Sequence, residues 1–206
     1  MQRLLNGYKA FREQRWPKER ALYAALAQQG QSPRMLVIAC SDSRVDPATI
    51  FDAGPGELFI VRNVANLVPP YEQGEGLHGT SAAIEFAVRR LSVRTILILG
   101  HAQCGGVAAA LTPQQDEDDQ FIRPWIALIE PARARCACHA PASGRDPQTA
   151  LEHESIKLSI ERLLTFPFVA QAVAGGGLAL EGAHFGIADE QLELLDRETG
   201  EFRALG

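Results

Sequence analysis

The chain has little of what marks a secreted, fibrous or membrane protein. Only four cysteines occur in 206 residues: Cys40, Cys104, Cys136 and Cys138. In a chain long enough to build its own core, so few thiols suit metal ligation or free cysteines better than a disulfide framework. No apolar run approaches the length that spans a bilayer. Residues 1–15 are studded with Arg, Gln and Lys and hold no run like the apolar stretch of a signal peptide. With a net charge of −5 there is no basic excess to attract nucleic acid or an anionic membrane. Internal repeats and low-complexity segments are missing too. What remains is the expectation of a soluble cytoplasmic protein, folded as a single domain over residues 1–206.

Two stretches carry the chemistry. Met35-Leu36-Val37-Ile38-Ala39 is a short apolar run that ends abruptly in Cys40-Ser41-Asp42-Ser43-Arg44. Thr95-Ile96-Leu97-Ile98-Leu99-Gly100 ends likewise in His101-Ala102-Gln103-Cys104-Gly105-Gly106. Short continuous apolar runs read as buried parallel strands. Ligands of open α/β sheets bind outside the carboxyl ends of such strands. A Cys-His-Cys set delivered at one sheet edge matches catalytic zinc, which keeps three protein ligands and an open fourth position. Beside a metal, Asp42-x-Arg44 also gains meaning beyond a surface ion pair: the carboxylate accepts a hydrogen bond from a bound water, and the arginine fork fixes the carboxylate.

The rest of the chain reads as scaffold. Residues 1–30 form an amphipathic helical arm, with Pro17 separating two helices. A turn at Asp46-Pro47, a strand over Leu58 to Val61 and a polar loop from Arg62 to Gly79 come next. A helix from Thr80 to Leu91 follows, with Thr80 or Ser81 as its cap. Helices are expected from Gly105 to Leu111, Trp125 to Cys138 and Ala150 to Leu164, the last with Leu151, Ile156, Ile160, Leu163 and Leu164 on one side. Leu178 to Ile187 and Gln191 to Leu195 read as a closing antiparallel hairpin. The fold class is therefore α/β, a mostly parallel β-sheet with an antiparallel edge strand, flanked by helices.

Two other motifs carry less. Cys136-x-Cys138-His139 is too tight for a zinc knuckle and lacks a second pair, so it reads as free thiols near a helix end. Gly74-x-Gly76-x-x-Gly79 matches a dinucleotide fingerprint in letters, but Pro69-Pro70-Tyr71-Glu72-Gln73 stands where the strand is needed.

Taken together, Cys40-Ser41-Asp42-Ser43-Arg44 and His101-x-x-Cys104-Gly105-Gly106 resemble the β-class carbonic anhydrases, in their plant-like branch. Gly30-Gln31-Ser32-Pro33, Val61-Arg62-Asn63-Val64-Ala65-Asn66, Gly79-Thr80-Ser81-Ala82-Ala83-Ile84-Glu85 and Thr165-Phe166-Pro167-Phe168-Val169 extend the likeness along nearly the whole chain. The resemblance implies Zn2+ on Cys40, His101 and Cys104, with Asp42 and Arg44 as catalytic dyad. It implies a substrate pocket of Gln31, Phe59, Val64, Phe86 and Gly105, where Phe86 replaces a tyrosine. It also implies one antiparallel strand and a homodimer or dimer of dimers with its sites at the subunit interface. The expected reaction is the reversible hydration of carbon dioxide to bicarbonate. A same-fold hydrolase of carbon disulfide or carbonyl sulfide and a non-catalytic zinc module are the alternatives. Val37 and Ala39 stand where the bicarbonate-locked branch has Trp and Gly, so Asp42 is expected to stay on Arg44.

Overall fold

The computed structural model describes residues 1–73, 76, 78–112, 119–138 and 146–205. Its centre is a six-stranded sheet: β1 (Met35–Cys40), β2 (Leu58–Asn63), β3 (Thr95–His101), β4 (Ala179–Phe185), β5 (Leu192–Asp196) and β6 (Glu201–Ala204), in the order β2-β1-β3-β4-β5-β6. The first four run parallel, β5 pairs antiparallel with β4, and β6 pairs antiparallel with β5. As the resemblance implied, one strand, β5, runs against the others; β6 lies beyond it at the edge and returns to the direction of β1–β4. The short β6, two of whose four residues are charged, has too little apolar pattern to read as a strand.

Side chains alternate across the pleat of β1 and β3. Leu36, Ile38, Ile96 and Ile98 pack on one face, under α4 (Gly79–Arg89), α8 (Pro147–Leu163) and α9 (Pro167–Ala174), together with Ile84, Ile156, Ile160, Phe166 and Val169. Val37, Ala39, Leu97 and Leu99 face the other way, against Ala183 with Ile50 and Phe51. A residue such as Ile98 is wholly buried, so truncating it to alanine would cost about 2–5 kcal/mol. A third apolar cluster lies under α5 (Gly105–Leu111), α6 (Ile122–Ile126) and α7 (Glu130–Cys138), and it includes Cys40 and Cys104.

Local chemistry explains where several elements start. Asp46 caps α3 (Pro47–Ile50) by accepting the Thr49 N–H at 3.0 Å, and Asp146 caps α8 by accepting the Thr149 N–H at 3.1 Å. Proline follows at the first helical position in both. α4 differs from the sequence expectation, since its N-cap is His78 with no side-chain bond. Thr80 is diverted instead to accept a hydrogen bond from Asn63 Nδ2. Leu164 also departs from expectation, lying past the end of α8 and 40% exposed.

The arm is α1 (Gln2–Ala10), a π turn (Phe11–Arg15) and α2 (Trp16–Gln29). Pro17 opens α2 rather than breaking the chain. Proline removes one backbone donor, and the widened π turn before it absorbs the loss while helical geometry continues. The span expected as one helix over Trp125 to Cys138 is α6, a 3-10 turn (Ala127–Ile129) and α7. Gly74 and Leu77 of the glycine motif, the side chain of Cys138, and His139 lie outside the described residues.

The connection through α3 carries the chain from β1 to β2 on one side, and the next strand, β3, pairs on the other side of β1. Strand order reverses there, so the carboxyl ends of β1 and β3 frame the crevice of the sheet.

Candidate metal centre

Cys40 is the last residue of β1 and His101 the last of β3, so the strand reversal sets them at one crevice. The chain turns through Ala102 and Gln103, the latter at φ 56°, and returns Cys104 as the N-cap of α5. All three residues are buried, and their donor atoms lie within 4.8 Å of one another.

The donors fit a metal ion. Cys40 Sγ and Cys104 Sγ are 3.9 Å apart, which is the separation of about 3.8 Å expected for two thiolates bound at about 2.3 Å to one tetrahedral ion. His101 Nδ1 lies 2.9 Å from the Ala102 carbonyl oxygen. A carbonyl only accepts, so Nδ1 carries the proton and Nε2 is left with its lone pair. Nε2 is buried without a hydrogen-bond partner. A buried polar atom left unpaired costs about 1–3 kcal/mol, and a metal ion is a partner that this donor set could hold.

Electrostatics agree with the geometry. The hydrogen bond it shares with Cys104, aided by the backbone N–H groups of Asp42 and Ala65, holds the Cys40 thiol below its ordinary value. The same hydrogen bond, with burial added, pushes the Cys104 thiol up, and either sulfur can be the donor. Burial opposes charge on His101, yet the nearby Cys40 sulfur and the Ala102 carbonyl raise its pKa. Thiols bind a metal as thiolates, so a divalent ion taken here would displace their protons.

Asp42 and Arg44 stand at the mouth. Arg44 Nε and Nη2 donate to the two carboxylate oxygens of Asp42 at 3.0 and 2.7 Å, and the Arg44 N–H adds a third bond at 2.9 Å. Nη2 also donates to the Gln103 carbonyl at 3.0 Å, tying the pair to the turn before Cys104. These bonds hold the Asp42 carboxyl well below the usual carboxylate range. Asp42 Oδ2 lies 3.9 Å from His101 Nε2, so the carboxylate borders the metal position while bound to Arg44.

The expected pocket residues are less gathered. Phe59 on β2 stacks on Phe86 of α4, ring centroids 5.8 Å apart, while Phe86 is 46% exposed and Gln31 is exposed. Val64 is exposed beside the site, its carbonyl fixed by the Trp125 indole N–H at 2.8 Å. Gly105 is exposed at the first turn of α5. A side-chain carbon on the next residue, Gly106, would lie 2.9 Å from Val64 Cγ1 and Ala65 Cβ.

The sequence reading missed three supports. Arg62 donates to the carbonyls of Cys40, Asp42 and Val45 at 2.9, 2.6 and 3.0 Å, pinning the loop that carries the dyad. Glu152 on α8, 2% exposed, accepts the Cys104 N–H at 2.9 Å, and Gln148 donates both to Glu152 and to the Cys104 carbonyl. A lone acid in a helix that buries most of its circumference was the available signal. By contrast, Cys136 is only partly buried and belongs to neither of the two metal-compatible groups among the described residues.

Comparison with known proteins agrees with this geometry. A family model described as carbonic anhydrase matches residues 35–192. The chain is 36% identical over 205 residues to β carbonic anhydrase 3 of Arabidopsis thaliana, covering 97% of this chain and 79% of that protein. The solved β-carbonic anhydrase CcaA superposes with a TM-score of 0.92 at 32% identity, covering 100% of this chain and 99% of that one. CafA of Aspergillus fumigatus, also a β-carbonic anhydrase, gives 0.83 at 31% identity, covering 95% and 90%. With the Cys-His-Cys crevice in place on a matching sheet, the chain belongs to the β-carbonic anhydrase family of enzymes.

Proposed function

We propose that this protein hydrates carbon dioxide reversibly to bicarbonate and a proton, with Zn2+ held by Cys40, His101 and Cys104. The observation that carries the reading is the buried, unpartnered Nε2 of His101 facing two thiols spaced for one tetrahedral ion. When bound, zinc supplies a Lewis acid that acidifies water to near neutrality.

The chain's own groups do the rest. Asp42 Oδ2 accepts a hydrogen bond from the attacking water and so orients its lone pair toward the substrate carbon. Arg44 keeps that carboxylate ionised and turned away from the metal ligands. Phe59, Val64, Phe86 and Gly105, which this chain alone does not gather, would give an apolar wall on subunit assembly that suits a small uncharged gas and sheds bicarbonate. Gln31 offers the polar contact in that wall.

The same site is completed by assembly into a homodimer or a dimer of dimers. No residue of α1, the π turn or α2 is buried, and Leu4, Tyr8 and Leu22 are 72, 58 and 43% exposed. An arm with that much apolar surface needs a second subunit to cover it. The two Sordaria macrospora β-carbonic anhydrases, similar at 28% identity with a TM-score of 0.81 over 100% of this chain and 96% of theirs, are tetrameric. The arm and the sheet act as one domain over residues 1–206. Among the described residues no helix is long and apolar enough to cross a membrane, and thiolate ligands suit a reducing compartment such as the cytoplasm.

The test pairs metal analysis with a rapid-mixing carbon dioxide hydration assay. Wild type should carry one zinc per chain at the site and be active. Cys104→Ser should lose both, and Arg44→Ala should keep zinc while losing most of its kcat. Full activity in metal-free protein, or zinc retained by Cys104→Ser, would refute the assignment.

A further inference from the structure

A second group of metal-type donors lies at the other end of the site's support. Among the described residues, His153, His184 and Glu193 also bring their donor atoms within 4.8 Å of one another. They come from three elements: His153 from α8, His184 from β4 and Glu193 from β5. His184 and Glu193 are direct partners across the antiparallel β4–β5 ladder, so both project to one face of the sheet. α8 lays His153 over that face, with its ring edge-on to His184 at 4.6 Å between centroids. Phe202 on β6 stacks flat on His153 at 3.9 Å and walls the far side. The two histidines are 3 and 4% exposed.

One of the distances is that of a coordination shell, and the other is that of a hydrogen bond. Glu193 Oε2 lies 3.1 Å from His153 Nε2 and 3.4 Å from His184 Nδ1. Donors bound at about 2.0–2.2 Å to one tetrahedral zinc sit about 3.3–3.5 Å apart. A second feature points the same way. The other nitrogen of His184, Nε2, lies 3.0 Å from Glu152 Oε2, a carboxylate that is itself buried. A carboxylate behind a histidine, with the opposite nitrogen aimed at a donor cluster, is the arrangement that orients metal-ligating imidazoles. His184 therefore has a carboxylate oxygen against each ring nitrogen. A divalent ion seated among the three donors would give Nδ1 of His184 and Oε2 of Glu193 one shared partner.

We propose that His153, His184 and Glu193 form a second cation site, taking a borderline divalent ion such as Zn2+, that clasps α8 to the β4–β5 hairpin. Of the three, Glu193 is the most exposed, its side chain 23% accessible. The site is separate from the Cys40-His101-Cys104 centre in ligands and in chemistry, having nitrogen and oxygen donors and no thiolate. Glu152 spans the two, with one oxygen on the Cys104 N–H and the other on His184.

The test uses untagged holoenzyme, already carrying its first zinc, dialysed to equilibrium against increasing Zn2+ and analysed for metal. Wild type should saturate with one more equivalent than Glu193→Gln. His153→Phe, which preserves the stack on Phe202, should lose the same equivalent. Because Glu193 lies partly exposed on a hairpin strand, Glu193→Gln decides the matter even if the buried substitution fails to fold. Co2+ added to the zinc-loaded wild type should give visible bands without a thiolate charge-transfer band in the near ultraviolet. Saturation at one equivalent overturns the site. So does a second equivalent that survives Glu193→Gln, or one that carries the thiolate band.

Discussion

Glu152 accepts the backbone N–H of Cys104 at 2.9 Å from inside α8, so a helix far along the chain fixes the orientation of a metal ligand. Gln148, one turn earlier, bonds the carbonyl of the same residue. The turn that presents Cys104 is thus held on both of its peptide groups. Glu152→Gln keeps the shape but weakens the charge-assisted bond. Metal should then be lost to a chelator faster, with affinity reduced roughly 10–100-fold as for other residues that orient ligands. Competition with a chromophoric chelator measures it, and an unchanged affinity would remove Glu152 from the support of the site.

Gly106 offers a steric test of the pocket wall. An added methyl would meet Val64 and Ala65 at 2.9 Å. Ala65 already sits at φ 63° and Asn66 at φ 48°, so that turn has little freedom to yield. Gly106→Ala should cost about 1–3 kcal/mol, read from denaturant midpoints, and should lower kcat/KM by displacing Val64. Wild-type stability and kinetics together would show that the turn is looser than its dihedral angles imply.

Cys136 makes a pH prediction. Burial, with Glu154 nearby, pushes its thiol above the ordinary cysteine value. A raised pKa means less thiolate at neutrality, and the thiolate is the nucleophile. Iodoacetamide should therefore label Cys136 more slowly near pH 7 than it labels the cysteine of a short unstructured peptide. The rate at Cys136 should also keep rising with pH after the peptide thiol has reached its plateau. Mass spectrometry of the labelled fragments reads both profiles; faster labelling of Cys136 than of the peptide at neutrality would contradict the burial.

The arm makes a prediction about assembly. Replacing Leu4, Leu5 and Tyr8 with polar residues removes exposed apolar surface without touching the core. Sedimentation velocity should show wild type as an even oligomer and the triple variant shifted toward smaller species with lower activity. A wild-type monomer at full specific activity would contradict subunit completion of the site.

Legibility in the sequence followed physical locality. β1 and β3 were readable because a buried parallel strand has to be a short apolar run, and the ligands stand where those runs end. The start at Asp46-Pro47 was readable because Asp-Pro carries its own local chemistry; Asp146-Pro147 carries the same chemistry, yet the helix expected from Ala150 starts there at Pro147. Glu152 was not, because its partner Cys104 is brought to it only by packing α8 against the crevice. Helix α8 buries Leu151, Glu152, His153, Ser155, Ile156, Leu158, Ser159, Ile160 and Leu163, so it is central where its pattern looked one-sided. The cap of α4 failed for a similar reason, since Asn63 competes for Thr80 from a different element. β6 escaped because it pairs through backbone groups, which side-chain patterning does not record.

The position of β1 between β2 and β3 has a consequence for biogenesis. During synthesis Cys40 emerges with β2 soon behind it, while His101 and Cys104 arrive only after α4 has been made. β2 covers one edge of β1 early, and the other edge waits for a more distant segment, the kind of closure that slows folding. Until then Cys40 is a solitary thiol with no partner donors around it. An ion that requires all three donors is captured only by a chain whose sheet has closed around β1, so metal uptake separates finished molecules from nascent ones.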